Sequence, residues 1–96
     1  MLFMGQPINI EYTVYIWREG QDFIAHAMPL DIMSSGRTRE QARQALQEAV
    51  SLFLATALEY GTLQDILEES GYDLVHGNWQ SPDWLAIEKQ SAVVGR

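Results

Sequence analysis

Hydrophobic positions along this chain change period twice. Over residues 8–17 they alternate, with Ile8, Ile10, Tyr12, Val14 and Ile16 on one face and Asn9, Glu11, Thr13, Tyr15 and Trp17 on the other. Period two with β-branched and aromatic residues predicts a half-buried strand. The second face is not simply polar. Tyr15 and Trp17 read either as ordinary sheet aromatics or as side chains covered by another chain. Residues 18–22 predict a turn, where Gly20 supplies positive φ without steric cost. Residues 23–28 return as the second strand of a hairpin, with Phe23, Ala25 and Ala27 on one face and Ile24, His26 and Met28 on the other. Pro29 stops it, because proline cannot donate to the ladder. After the Leu30-Asp31 turn, residues 32–36 predict a short third strand.

The period then shifts from two to between three and four. Ala42, Leu46, Ala49, Val50, Phe53, Ala57 and Leu58 mark one face of a helix over residues 39–60. Thr38 is placed to cap its start, and Gln41 can reach back to the Thr38 backbone N–H, which completes a capping box. Gly61 can take the left-handed conformation that closes it. At ~1.5 Å rise per residue this element is roughly 33 Å long. Nothing else in the chain is as regular, so the strands must use it as the second layer of their core.

Thr62, with Asp65 closing a second box, opens a shorter helix whose inward residues are Leu63, Ile66 and Leu67; Gly71 ends it. Residues 72–82 predict a small hairpin turning near His76-Gly77-Asn78. Asp83 can cap one turn around Trp84. Residues 87–94 read as a terminal strand, which needs a partner to stay ordered. That partner is either its own sheet or a second copy of the chain, and in the second case Ile87, Ala92, Val93 and Val94 are the oligomer interface. The expected fold class is α+β: a three-stranded antiparallel sheet on one long helix, in the order β-β-β-α-α-β.

Ninety-six residues suit one domain, here with a core over about 8–71 and the hairpin and strand in 72–96. The absence of cysteine excludes disulfides and thiolate chemistry and fits a reducing compartment. Met1-Leu2-Phe3-Met4 lacks a basic flank and is broken by Pro7, so it is not read as a signal peptide. No apolar run approaches ~18 residues, so no membrane helix is expected and the protein is placed in the cytoplasm. The charge is uneven: residues 1–43 carry five acids and four bases, residues 44–96 eight acids and two bases. An acidic body repels phosphate and disfavours direct nucleic-acid binding. The acids Glu59, Asp65, Glu68, Glu69 and Asp73 either serve solubility or face a basic partner.

No catalytic motif emerges, and the chain is read as a non-enzyme. His26 and His76 stand far apart, and without cysteine there is no zinc-ligand spacing. Ser34-Ser35-Gly36 lacks the G-x-S-x-G elbow. Glu11, Asp22, Asp31 and Asp73 have no spacing that demands a metal, and no glycine-rich phosphate loop is present, so neither metal nor cofactor is expected. Arg37, Arg39 and Arg43 cluster at the helix start, where positive charge opposes the dipole. They are expected to be held by acids such as Glu40 or by a partner, or to be solvated with stems lying on apolar surface.

The order of strand, Gly20 turn, strand ending Ala27-Met28-Pro29, short strand, then Gly36, Thr38, Glu40, Ala42, Leu46, Glu48, Ala49 and Val50 resembles the HicB family of type II antitoxins. Gly61-Thr62-Leu63, Ile66-Leu67-Glu68-Glu69 and Gly71 resemble a subgroup of small stand-alone members. The resemblance spans roughly residues 10–72. It implies a partial RNase H-like fold without nuclease activity, and an antitoxin that occludes a small basic HicA-like toxin, an mRNA-cleaving ribonuclease. It also implies a homodimer or tetramer. Two departures stand out. The family's Pro-x-Leu-Pro-Gly is reduced to Pro29-Leu30-Asp31-Ile32. Residues 72–96 are too short and too acidic for the DNA-binding domain that full-length members often carry.

Overall fold

The computed structural model describes residues 7–95. Among them the chain forms β1 (Asn9–Ile10), β2 (Thr13–Glu19), β3 (Asp22–Met28), β4 (Ile32–Gly36), α1 (Arg39–Glu59), α2 (Leu63–Glu69), β5 (Asp73–Val75) and β6 (Asn78–Gln80). The Met1–Met4 segment read against a signal peptide lies outside the described residues.

β2, β3 and β4 form an antiparallel sheet in that order, and α1 packs on it, as the alternation and the helical period imply. Gly20 (φ 61°) and Gln21 make the two-residue turn between the Glu19–Asp22 pair. The register puts Ala25 and Ala27 at the centre of the face toward α1, with Ile16 and Ile32 beside them. Both alanines are fully buried, and their small side chains let the helix approach. Ala42, Leu46 and Val50 fill the space from the helix side. Burying a leucine such as Leu46 stabilises by about 1.5–3 kcal/mol.

The end of β4 nearly touches the first turn of α1. A Cβ on Gly36 would lie 2.6 Å from the Ala42 backbone nitrogen, so this position needs glycine for space, not for its dihedral angles. Thr38 Oγ1 accepts from the Gln41 N–H at 3.0 Å, as expected of the cap. The other half of the box differs: Gln41 Oε1 accepts from the Arg37 N–H at 3.0 Å, one residue before the position anticipated.

Both helices close in the same way. Gly61 (φ 74°) donates to the Leu58 carbonyl and Thr62 to that of Ala57; Gly71 (φ 91°) donates to Glu68 and Tyr72 to Leu67. These paired bonds are Schellman motifs. The first one explains why the second capping box fails. Thr62 is the last residue of the α1 closure, and its hydroxyl donates backward to the Ala57 carbonyl at 3.3 Å, so it forms no side-chain cap for α2.

β1, β6 and β5 make a second sheet, with β1 parallel to β6 (Asn9–Asn78, Ile10–Trp79) and β5 antiparallel to β6. His76 (φ 51°) and Gly77 (φ 83°) form the hairpin turn where it was read. Trp79 and Tyr72 bury beside Leu63 and Leu67.

Three expectations need correction. The strand over residues 8–17 is two strands, because the chain changes sheets at Glu11-Tyr12: the Glu11 N–H donates to the Trp79 carbonyl, and pairing with β3 begins at Thr13. The helix stripe does not hold to its end, since Phe53 and Leu58 are exposed. α1 runs about 30 Å while the seven-residue strands span about 23 Å, so its last turns pass beyond the sheet, where Leu54 and Ala57 rather than Phe53 and Leu58 turn to the core. Finally, residues 81–95 carry neither the strand over 87–94 nor the turn at Asp83. Alternation alone does not make a strand; its backbone groups need a ladder partner, and this segment meets none.

Candidate functional site

The two helix closures set five carboxylates along one continuous part of the chain. Glu59 ends α1, Asp65, Glu68 and Glu69 lie on α2, and Asp73 opens β5; all five are exposed. The ion pairs among the described residues are His26–Asp31, Arg37–Asp22 and Arg43–Glu40, so none of the five is neutralised by a neighbour. Gln64 Nε2 donates to Glu68 Oε2 at 3.3 Å, which holds that carboxylate without cancelling its charge. Neither helix has a basic residue in its last turn. Glu59, Glu68 and Glu69 therefore add negative charge where the helix dipole is already negative.

A second feature is the sheet face turned away from α1. The register places Tyr15, Trp17, Ile24, His26 and Met33 on it. His26 meets both aromatic rings edge-on, Tyr15 at 6.3 Å and Trp17 at 6.0 Å between centroids, and its Nε2 lies 2.6 Å from Asp31 Oδ1. Asp31 reaches it from the β3–β4 loop in a left-handed conformation (φ 61°). Trp84, from the segment after β6, packs edge-on against Tyr15 at 6.5 Å. Tyr15 is thus covered by the chain's own tail, an arrangement the alternation of residues 8–17 did not reveal. Trp17 and Met33 remain exposed beside a shallow groove of about 390 Å³.

The residues weighed for catalysis are not gathered. Ser34 pairs with Ala25 on the helix-facing side, opposite to His26. Glu11 accepts from the Ser81 N–H at 3.3 Å, Asp22 pairs with Arg37 at 3.5 Å, and Asp31 holds His26, while Asp73 begins β5. Among the described residues no cluster of three or more His, Cys, Asp or Glu side chains could hold a metal ion. His76 serves the β5–β6 turn. Burial, and then the Glu11 and Tyr12 charges, push the Tyr72 phenol up to about 12. It stays a neutral hydrogen-bond donor at ordinary pH.

Ile87, Ala92, Val93 and Val94 lie on the strandless tail, fully open to solvent at Val93 (98 % exposed) and Val94 (93 %). At the other end of the molecule Arg43 pairs with Glu40, one of the alternatives left open from the sequence, and Arg37 pairs with Asp22. The grouping of Arg18 with the α1 arginines was not foreseen. The strand register, once known, puts Arg18 opposite Phe23 at the same end of the sheet.

Compared with protein-family models, curated proteins and solved structures, the chain matches none of them. No helix among the described residues is long and apolar enough to cross a membrane. Fold and surface together define an α+β chain with a two-layer body, a small second sheet and an acidic helical end.

Proposed function

We propose that this chain is a non-catalytic, HicB-like binding module that neutralises a small basic, mRNA-cleaving toxin through its acidic end. The observation that carries this reading is the set of five unpaired carboxylates, three of them at helix ends where they oppose local stability. Acids kept at electrostatically unfavourable positions make sense as one half of a charge-complementary interface. The resemblance of Gly36–Val50 and Gly61–Gly71 to the antitoxin family supports the same reading. Desolvating these acids against lysines or arginines of a partner would speed encounter and fix orientation. The test is co-purification with a short basic protein encoded beside the gene. A complex should form at low salt, weaken as salt rises, and suppress RNA cleavage by that protein. Glu68→Lys with Glu69→Lys should weaken it by about tenfold or more, roughly the effect of 1.4 kcal/mol. Absence of a complex at low salt overturns the reading.

A second reading is favoured by the exposed apolar tail: a homo-oligomeric regulatory or structural protein without a toxin, joined through Ile87–Val94 of two copies. Size-exclusion chromatography of a chain lacking residues 87–95 tests it. A shortened protein that remains a soluble dimer removes that interface.

A further inference from the structure

Two open hollows of about 380 and 320 Å³ adjoin where α1 closes and α2 begins. They share Ile8, Leu58 and Leu63; Leu74 and Trp79 add to the first and Leu54 to the second. The fold explains why this apolar floor stays open. The last turns of α1 pass beyond the three-stranded sheet, and the second sheet is built from strands of only two or three residues. That small sheet covers Leu63 and Leu67, but Leu58 remains 56 % exposed and Leu74 58 % exposed. Apolar surface that is exposed as a continuous patch, not as single side chains, marks a place where something docks.

Charge beside the hollows has one sign. Glu59 follows Leu58, Asp65 follows Gln64 and Asp73 precedes Leu74, and Gln64, on the wall of the first hollow, holds Glu68 one turn along α2. No lysine or arginine lines either hollow, and none adjoins a lining residue in sequence. An apolar centre with a charged rim is the anatomy of a protein interface, and the sign of the rim selects a partner carrying lysine and arginine. The same sign repels nucleic acid and anionic lipid. Shape selects a helix. Side chains three and four residues apart on a helix lie about 5–6 Å from one another, so successive turns can fill two adjoining hollows while basic stems lie along the flanks. An extended strand would instead add to a sheet edge.

We propose that the paired hollows receive the apolar stripe of a basic amphipathic helix from a protein partner, with aliphatic side chains against Leu58 and Leu74 and lysines or arginines toward Glu59, Asp65 and Glu68. The proposal rests on the reading of the acidic end as a partner-binding surface. It adds what charge alone does not supply, the desolvated contacts that hold a partner after encounter.

The experiment titrates the full chain with a peptide of about 14 leucines and lysines whose leucines recur at intervals of three and four, and with an isomer of the same composition whose leucines alternate. The indole N–H signal of Trp79, which lines the first hollow, locates the site in ¹H–¹⁵N spectra. The helical peptide should saturate with the Trp79 signal moving, and the isomer should bind about tenfold more weakly or worse. Leu58→Gln, an exposed substitution that suits a helix, should weaken the helical peptide about tenfold or more with an unchanged circular dichroism spectrum. Arg39→Gln, at the other end of α1, should leave binding unchanged. Equal binding of the isomer, or no effect of Leu58→Gln, overturns the helix site and leaves the acidic end as a purely electrostatic surface. A homodimer that Leu58→Gln disperses assigns the hollows to a second copy and overturns the proposal. So does failure of the peptide to saturate the full chain, the result expected if residues 1–6 of the same chain fill them. Peptide capture through Leu58 with no complex to the basic protein encoded beside the gene ends the toxin reading and keeps the helix site.

Discussion

The Tyr72 hydroxyl donates a 2.6 Å hydrogen bond to the backbone carbonyl of Glu11, 61 residues earlier. It thereby ties the residue that completes the α2 closure to the point where the chain leaves one sheet for the other. The Tyr72 side chain is almost wholly buried, at 3 % exposure. A charged phenolate there would lose both its hydration and its ability to donate.

This bond makes stability fall in alkali. The Tyr72 phenol is raised from 10.0 to about 12, so the folded state keeps a proton that the unfolded state gives up. The stabilisation is fully present below pH 10 and is lost as pH rises from about 10 to about 12. By pH 11.5 the loss from this group is roughly 2 kcal/mol. Tyr72→Phe should cost about 1 kcal/mol at neutral pH by orphaning the Glu11 carbonyl, yet flatten the alkaline decline. Urea midpoints of both proteins at pH 8 and 11.5 measure this, and parallel declines would show that Tyr72 is not the group responsible.

Gly36→Ala should destabilise although alanine usually favours ordered structure. The added methyl would press on Gln41 and Ala42 at under 3 Å and force β4 and α1 apart. Overpacking of this kind costs about 1–3 kcal/mol. Gly20→Ala, by contrast, meets no neighbouring atom and pays only for its positive φ. Thermal melts of the two variants separate a steric penalty from a conformational one, and an unchanged melting temperature for Gly36→Ala would contradict the close approach.

Leu46→Ala should be among the most damaging single truncations, because Leu46 is one of two large side chains with essentially no exposure. A loss of about 2–5 kcal/mol is expected. Leu52→Ala, on the exposed side of the same helix, should change stability by no more than about 0.5 kcal/mol. Equal losses in a denaturant series would mean that α1 is rotated from the orientation described.

Charge reversal at the helix ends should strengthen the fold. Glu59→Lys and Glu69→Lys each put a cation at a negative helix terminus and should add about 0.3–1 kcal/mol, less at high salt. Differential scanning calorimetry at low salt reads the gain. Destabilisation by both would show that these acids have a structural role that offsets their position.

Much of the main body was legible in the residues. The spacing of Ala42, Leu46 and Val50 required a helix face, Thr38 announced its start, and Gly61 its end. His76-Gly77 sits where a tight turn needs positive φ. What local pattern could not carry was partnership. Residues 8–17 alternate without interruption, so nothing in them marks Glu11 as the place where the chain changes sheets; that depends on Trp79 and Tyr72 far along the sequence. Residues 87–94 alternate equally well and form no strand, because no ladder edge meets them. Thr62 had the right identity for a cap, but its hydroxyl was already engaged in closing the helix before it. The five acids were visible from charge alone. The grouping of Arg18 with the α1 arginines was not, since Arg18 and Arg39 come together only through the β2–β3 register and the docking of α1.

The parallel pairing of Asn9 with Asn78 also sets a timetable. Closing a loop of that size costs about 4 kcal/mol in chain entropy, whereas the β5–β6 hairpin closes across two residues. During synthesis β1 therefore has no partner until β6 has left the ribosome, although β2, β3, β4 and α1 can already have assembled. The earliest strand described therefore waits on residues some seventy positions later before its backbone groups can join a ladder.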